Sequence, residues 1–262
     1  MRDLKMMFRL LRSAAKSQVM YRTDFLIGLI GTLAYNGLFL SSIGIITACF
    51  GSIGGFNSAQ MVLLYSIFEI SHGLFGFFLQ NMTAHLNRLV YDGTLDIYLT
   101  RPCAVLLQMN GKKMNYMAFI DLFIGIVCFL AVADKAGVTC SILKAFMLPV
   151  FILSGMTIEF SLALLMNCGT VISPSLRSLY GTYHQLVLIS QRYPLHIFTG
   201  ALQGLLTFAF PLGFVNYYPT LYLIGYEQGA LAYLAPIVAA IFATLAVCAF
   251  NHTLKYYCGT GN

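Results

Sequence analysis

Charged side chains are scarce in this chain: Asp, Glu, Lys and Arg make up 9% of its 262 residues, where a water-soluble domain carries about a quarter. With 59% hydrophobic residues and a mean hydropathy of +0.79, that scarcity excludes a soluble domain and places the chain in a bilayer. Signatures of catalysis are also missing. There is no G-x-x-x-x-G-K-[ST] for a nucleotide, no H-E-x-x-H for a metal and no G-x-S-x-G for a nucleophile. No catalytic residue and no metal centre is therefore expected, and active transport by this chain needs energy from elsewhere. The seven cysteines are odd in number and contain no C-x-x-C pair, which argues against a disulfide framework.

What is present is a set of apolar runs long enough to span a bilayer, a length of about 20 residues. They cover 25–50, 61–79, 116–133, 145–172, 196–215 and 231–250. The predicted fold is an all-α membrane protein with six transmembrane helices in a single domain over 1–262. Orientation follows from Lys and Arg, which are retained on the cytoplasmic side. If six spans alternate, all of the 15 Lys and Arg except Lys135 and Lys144 fall on the side of the termini. Both termini are therefore expected in the cytoplasm, and the net charge of +6 reports topology and gives no support to nucleic-acid binding.

Residues 1–24 precede the first run, and on a helical wheel Arg2, Lys5, Arg9, Arg12 and Lys16 share one stripe opposite Leu4, Phe8 and Leu11. A basic amphipathic helix of this kind lies in the membrane interface, with its cations at anionic headgroups. The longest polar interval is the loop 80–115. In it Gly93 can end one short helix and Pro102 stops a second, giving the shape of a docking element. Leu95, Ile97, Tyr98 and Leu99 supply more apolar area than a solvated loop of this size needs. Either a partner covers them or the chain's own inner surface does. Asp96 and Arg101 are placed to form an ion pair across the second helix. Residues 173–194 read as another cytoplasmic connection. Pro211, Gly213 and Pro219 break what would otherwise be continuous helix, and a re-entrant turn from Pro211 to Gly229 accommodates them, because non-helical backbone at membrane depth must be enclosed by protein.

Ionisable groups at membrane depth line a cavity or meet a partner, and Glu69, His72 and Glu159 are the candidates for a translocation path. Glu69 and His72 share a helix face at i,i+3. That spacing suits a structural pair, proton handling or a cationic substrate, while two ligands do not make a metal site. Asp121, near the inner end of its run, reads as an anchor for Lys112, Lys113 or headgroups.

The string Gly93-x-Leu95-Asp96-x-x-Leu99-x-Arg101-Pro102, the basic leader, Tyr193-Pro194-x-x-Ile197-Phe198 and Pro211-x-Gly213-x-x-x-Tyr217-x-Pro219 together resemble the permeases of type-2 ABC exporters, in a six-helix bacterial branch. The absence of Trp and Cys103 after the Arg-Pro pair depart from the usual pattern. The resemblance implies a half-transporter of the bacterial cytoplasmic membrane with an amino-terminal connecting helix, a coupling helix and a re-entrant element before the last helix. It implies no cofactor in this chain, but ATP and Mg on two separate ABC ATPase subunits, and a second permease, identical or a sister. The ATPase-coupling residues it implies are Leu89, Gly93, Leu95, Asp96, Tyr98, Leu99, Arg101 and Pro102. A gradient-driven carrier using the buried acids and a non-transporting membrane scaffold are the alternatives.

Overall fold

The computed structural model describes residues 22–84, 86–101, 104–110, 115–139, 141–172 and 177–256, and every regular element among them is helical. Among the described residues four helices are long and apolar enough to cross a membrane, at Phe25–Phe50, Ser58–Phe78, Ile142–Gly169 and Glu227–Lys255. Met117–Val132 and Gly200–Ala209 are shorter apolar helices. The leader with Arg2, Lys5, Arg9, Arg12 and Lys16 lies outside the described residues, as do Pro102, Lys112 and Lys113.

We label the helices α1 (Arg22–Phe50), α2 (Ser58–Phe78), α3 (Gln80–Ala84), α4 (Leu86–Tyr91), α5 (Asp96–Leu99), α6 (Val105–Asn110), α7 (Tyr116–Val132), α8 (Ile142–Ile172), α9 (Arg177–Arg192), α10 (Gly200–Gly204), α11 (Tyr217–Ile224) and α12 (Ala235–Tyr256). The central element is α2, buried along most of its length, whereas α1 is exposed nearly all round. A capping box starts α2: Gln60 N donates to Asn57 Oδ1 at 2.9 Å and Asn57 N to Gln60 Oε1 at 3.1 Å, so two otherwise orphaned amides are satisfied. Asn115 does the same for α7, accepting from Met117 N at 3.1 Å while its amide donates to Gln80 Oε1 at 2.6 Å.

The seam between α2 and α7 is built on small residues. A Cβ on Gly73 would stand 2.6 Å from Leu122 N, and one on Gly125 would stand 2.9 Å from Ile70 N. In lipid, where apolar burial alone does not drive helices together, such close backbone approach supplies the attraction. Hydroxyls along the long helices turn back onto the preceding turn, as Thr47 does to Ile43 O at 2.8 Å, Ser154 to Val150 O at 2.7 Å and Ser161 to Thr157 O at 2.6 Å. Each is thereby satisfied without water.

The loop after α2 folds into four short helices, α3 to α6, rather than the two expected. Gly93, at φ +65°, ends α4 in a Schellman motif: Thr94 N donates to Leu89 O at 3.0 Å and Gly93 N to Val90 O at 3.3 Å. Only glycine reaches that left-handed conformation without strain.

The run 196–215, expected as one crossing helix, is divided. A 3-10 turn at Leu195–Ile197 leads to α10, a π-helical turn at Leu205–Ala209 and another 3-10 turn at Leu212–Phe214. Pro211 lacks an amide hydrogen and ends the helical ladder. Pro219 falls in the first turn of α11, where no intrahelical donor is needed. Residues 211–221 are buried throughout, and Gly213 admits Leu195, whose Cδ2 would lie 2.9 Å from an added Cβ. The segment 173–194, read as a connection, contains α9 instead. This helix starts beyond the end of α8 that packs on the loop 80–115. At its far end the His196 ring meets Gly54 O, in the turn between α1 and α2. Thus α9 and the residues after it join the two ends of the bundle, and Arg192 lies away from the loop end.

Candidate functional site

Two places in the molecule concentrate polar chemistry, one inside the bundle and one at its loop end. The internal one is a cleft of about 390 Å³ between four helices. It is lined by Gly31, Thr32 and Tyr35 of α1, Phe68, Glu69 and His72 of α2, Asp121 of α7, and His184, Val187, Leu188 and Gln191 of α9. The periodicity of α9 explains its share: His184, Leu188 and Gln191 fall three and four residues apart on one face.

Of the three path candidates, Glu69 and His72 line the cleft, and Glu159 meets His72 from α8. His72 Nδ1 and Glu159 Oε2 are 2.6 Å apart, joining α2 to α8. The His72 ring is held between Phe68, with centroids 5.3 Å apart and planes 17° from parallel, and Phe75 at 6.0 Å. Glu159 is fully buried and its second oxygen, Oε1, has no hydrogen-bond partner among the described residues. Its backbone carbonyl accepts from Tyr183 Oη of α9 at 3.2 Å. Glu69, one turn before His72, accepts a hydrogen bond from the Gln191 amide.

Asp121 is the residue the sequence reading misplaced. It faces the cleft, where Oδ1 accepts from Asn36 Nδ2 of α1 at 3.1 Å, and Asn36 Oδ1 accepts from Tyr65 Oη. An anchoring contact to Lys112 or Lys113 lies outside the described residues. Asn36, Tyr65, Gln191 and His184 were not recognised from sequence. The available signal was Asn36, an amide in the middle of an apolar run, since a buried amide in lipid needs a partner.

Removing one member of the His72–Glu159 pair leaves a buried carboxylate without its donor, which costs about 3–5 kcal/mol. His72→Phe is therefore expected to lower the unfolding temperature in detergent markedly, and the double change with Glu159→Leu to recover most of the loss. A single variant as stable as the native protein would show that the pair contributes little.

At the loop end, the residues implied for coupling divide into two faces. Leu89, Leu95 and Tyr98 join Leu86 and Met109 in a buried cluster with Leu164 and Cys168 of α8 and Ala246 and Phe250 of α12. Gln108 Nε2 ties α6 to Tyr98 O at 3.1 Å. Asp96, Ile97, Leu99, Thr100 and Arg101 are exposed. The predicted Asp96–Arg101 pair does not form; the ion pair in this loop among the described residues is Arg88 Nε to Asp92 Oδ2, 3.3 Å apart and one helical turn along α4. With four residues, α5 is too short to align Asp96 with Arg101 across a turn.

A family model described as ABC-2 family transporter protein matches residues 33–261. No curated protein and no solved structure matches the chain.

Proposed function

This chain, which belongs to the ABC-2 family of transporter proteins, is an integral membrane protein, and we propose that it is the permease subunit of an ATP-driven exporter of the bacterial cytoplasmic membrane. It forms half of the path and works with a second permease, identical or a sister. ATP and Mg are bound by two separate ABC ATPase subunits, so that this chain performs no catalysis itself. The charge distribution along the sequence supports placing both termini and the loop 80–115 in the cytoplasm. The leader carrying Arg2, Lys5, Arg9, Arg12 and Lys16 would lie flat on the inner leaflet, and the segment from Pro211 to Gly229, buried over 211–221, would return partway into the membrane from the outer side.

The observation that carries this reading is the two-faced loop. Its inner face, Leu89, Leu95 and Tyr98, is locked to α8 and α12, while Ile97 and Leu99 are exposed in the same loop as the exposed charges Asp96, Arg101, Arg88 and Asp92. Exposed apolar side chains among exposed charges are the composition of a docking surface. A push on α5 reaches Leu164, and Glu159 lies five positions before it on the same helix. Closure of an ATPase dimer against the loop would thus shift α8 against α2 at His72, beside the cleft.

Coexpression with a candidate ABC ATPase subunit from the same genome tests the proposal. The two proteins should copurify, and ATP hydrolysis in proteoliposomes should rise when the permease is included. Transport by this chain alone, driven by a proton gradient without nucleotide, would overturn the assignment in favour of a carrier.

A further inference from the structure

The four-helix cleft has a charge balance that points to its ligand. Glu69 is buried, at 3% exposure, and sits near the middle of the 21-residue α2. Asp121 faces the same space, and no Lys or Arg lines it. The two carboxylates accept hydrogen bonds from neutral amides, Gln191 and Asn36. Among the described residues the ion pairs are His72–Glu159 and Arg88–Asp92; His72 and His184 also line the cleft, but His72 is engaged by Glu159 and neither Glu69 nor Asp121 is in an ion pair. Arg192 is the nearest strong cation along α9. It is turned aside: Nη2 donates to Tyr35 Oη at 3.2 Å and the guanidinium lies 5.7 Å from the centre of the Phe39 ring.

Amides fix a carboxylate's position without neutralising it. Carboxylates held in this way at membrane depth call for a positive charge from outside the chain. Beside Thr32, His72 and His184, the wall carries Tyr35, Phe68, Val187 and Leu188, surfaces that suit the body of an organic cation as well as its charge. The volume, about 390 Å³, lies in the range of small-molecule sites, roughly 300–1,000 Å³. A hydrated metal ion fits these walls poorly, and among the described residues no group of three or more His, Cys, Asp or Glu could hold one.

We propose that this cleft binds a monovalent organic cation with an aromatic or alkyl body, its charge between Glu69 and Asp121 and its body against Phe68, Tyr35, Val187 and Leu188. The proposal names the substrate class of the permease and rests on that reading in treating the cleft as part of the path. Arg192 stands at the rim and opposes entry of a like charge, so it sets the affinity from the other direction.

Ethidium is a suitable probe, with phenanthridine, its ring system without the fixed charge, as the neutral control. Binding is measured by fluorescence on the full chain in lipid nanodiscs, with empty nanodiscs subtracted and no ATPase present, so a failure of ATPase coupling leaves this result standing. Ethidium should bind saturably, and Glu69→Gln with Asp121→Asn should weaken it about tenfold or more, the size expected for losing charge attraction in a partly desolvated site. Arg192→Gln should tighten it severalfold, and phenanthridine should not respond to either change. Because Asp121 is half-exposed, Asp121→Asn alone serves if the double variant does not fold, with a weakening of several fold. Equal ethidium affinity in the native protein and in folded carboxylate variants would overturn the proposal. So would phenanthridine binding as tightly as ethidium.

Discussion

Aspartate at both Ile97 and Leu99 is expected to leave the permease folded in the membrane while abolishing its stimulation of the ATPase. The two side chains are 53% and 41% exposed and project from α5, so charging them disturbs no internal packing. Against a hydrophobic groove, each loses its contact and buries an unpaired carboxylate in its place. Anchors at the centre of an interface are worth 2 kcal/mol or more, which is about a 30-fold loss of affinity for one such anchor. Two together should remove detectable copurification and coupled hydrolysis. Leu95→Asp supplies the contrast. Leu95 is fully buried in the cluster with Leu164 and Phe250, and even truncation there would cost roughly 2–5 kcal/mol, so this variant should lose stability before it loses docking. Unfolding temperature in detergent, read beside ATP hydrolysis in proteoliposomes, separates the two effects. Normal coupled hydrolysis in the Ile97→Asp, Leu99→Asp variant would remove α5 as the docking element.

A larger structural loss is expected from Gly73→Leu. The added Cβ would stand 2.6 Å from Leu122 N and 2.7 Å from its Cα, and backbone atoms cannot rotate out of the way as a side-chain tip can. The two helices must separate, which unpacks Gly76 from Ala118 and Gly125 from Glu69 and Ile70 along the same seam. Overpacking of a well-fitted interior costs about 1–3 kcal/mol and occasionally more, and a whole seam puts this substitution at the upper end. Because Glu69 lies on that seam, the cleft opens with it, and ethidium binding should fall together with thermal stability. Gly44→Ala is the control. No atom lies within 4 Å of the position its Cβ would take, and alanine favours helix over glycine by about 1 kcal/mol, so stability should hold or rise. A Gly73→Leu protein that melts like the native one would show that α2 and α7 are not held by close approach.

The apolar runs in the sequence were sufficient to locate α1, α2, α8 and α12 within about six residues, because each is apolar over a length that can cross a membrane. They failed at α9. That helix carries His184, Gln185, Gln191 and Arg192, of which His184 and Gln191 line the cleft, so counting apolar residues treats a packed helix as a connection. The next run then looked like a span because Pro211 interrupts it near its end, where hydropathy averages conceal the break. In the coupling loop, punctuation was legible: Gly93 ends α4 through its left-handed backbone. The facing of individual residues was not legible. Leu95 and Leu99 are alike in sequence, and their fates differ because α8 and α12 cover one side of a four-residue helix. The same holds inside the bundle. Glu69, His72 and Glu159 stood out as charges within apolar runs, whereas Asp121 stood closer to a run's end and was read as an anchor for Lys112, Lys113 or headgroups. Its partner Asn36 comes from a helix 85 positions away in sequence, a contact that spacing along one helix cannot reveal.

That contact has a consequence for α1. Its side chains are apolar almost equally on every side, with Leu26, Ile27, Ile30, Leu33, Leu38 and Ile45 all exposed. A cylinder of this kind can spin about its long axis in lipid with little change in solvation. Asn36 and Tyr35 remove that freedom, the first joining Asp121 and Tyr65, the second Arg192. A buried polar residue can select one register among many of similar energy while adding little net stability. The angular setting of a 29-residue helix is thus decided at one level of its length, and the same two residues form the wall through which α1 meets the cleft.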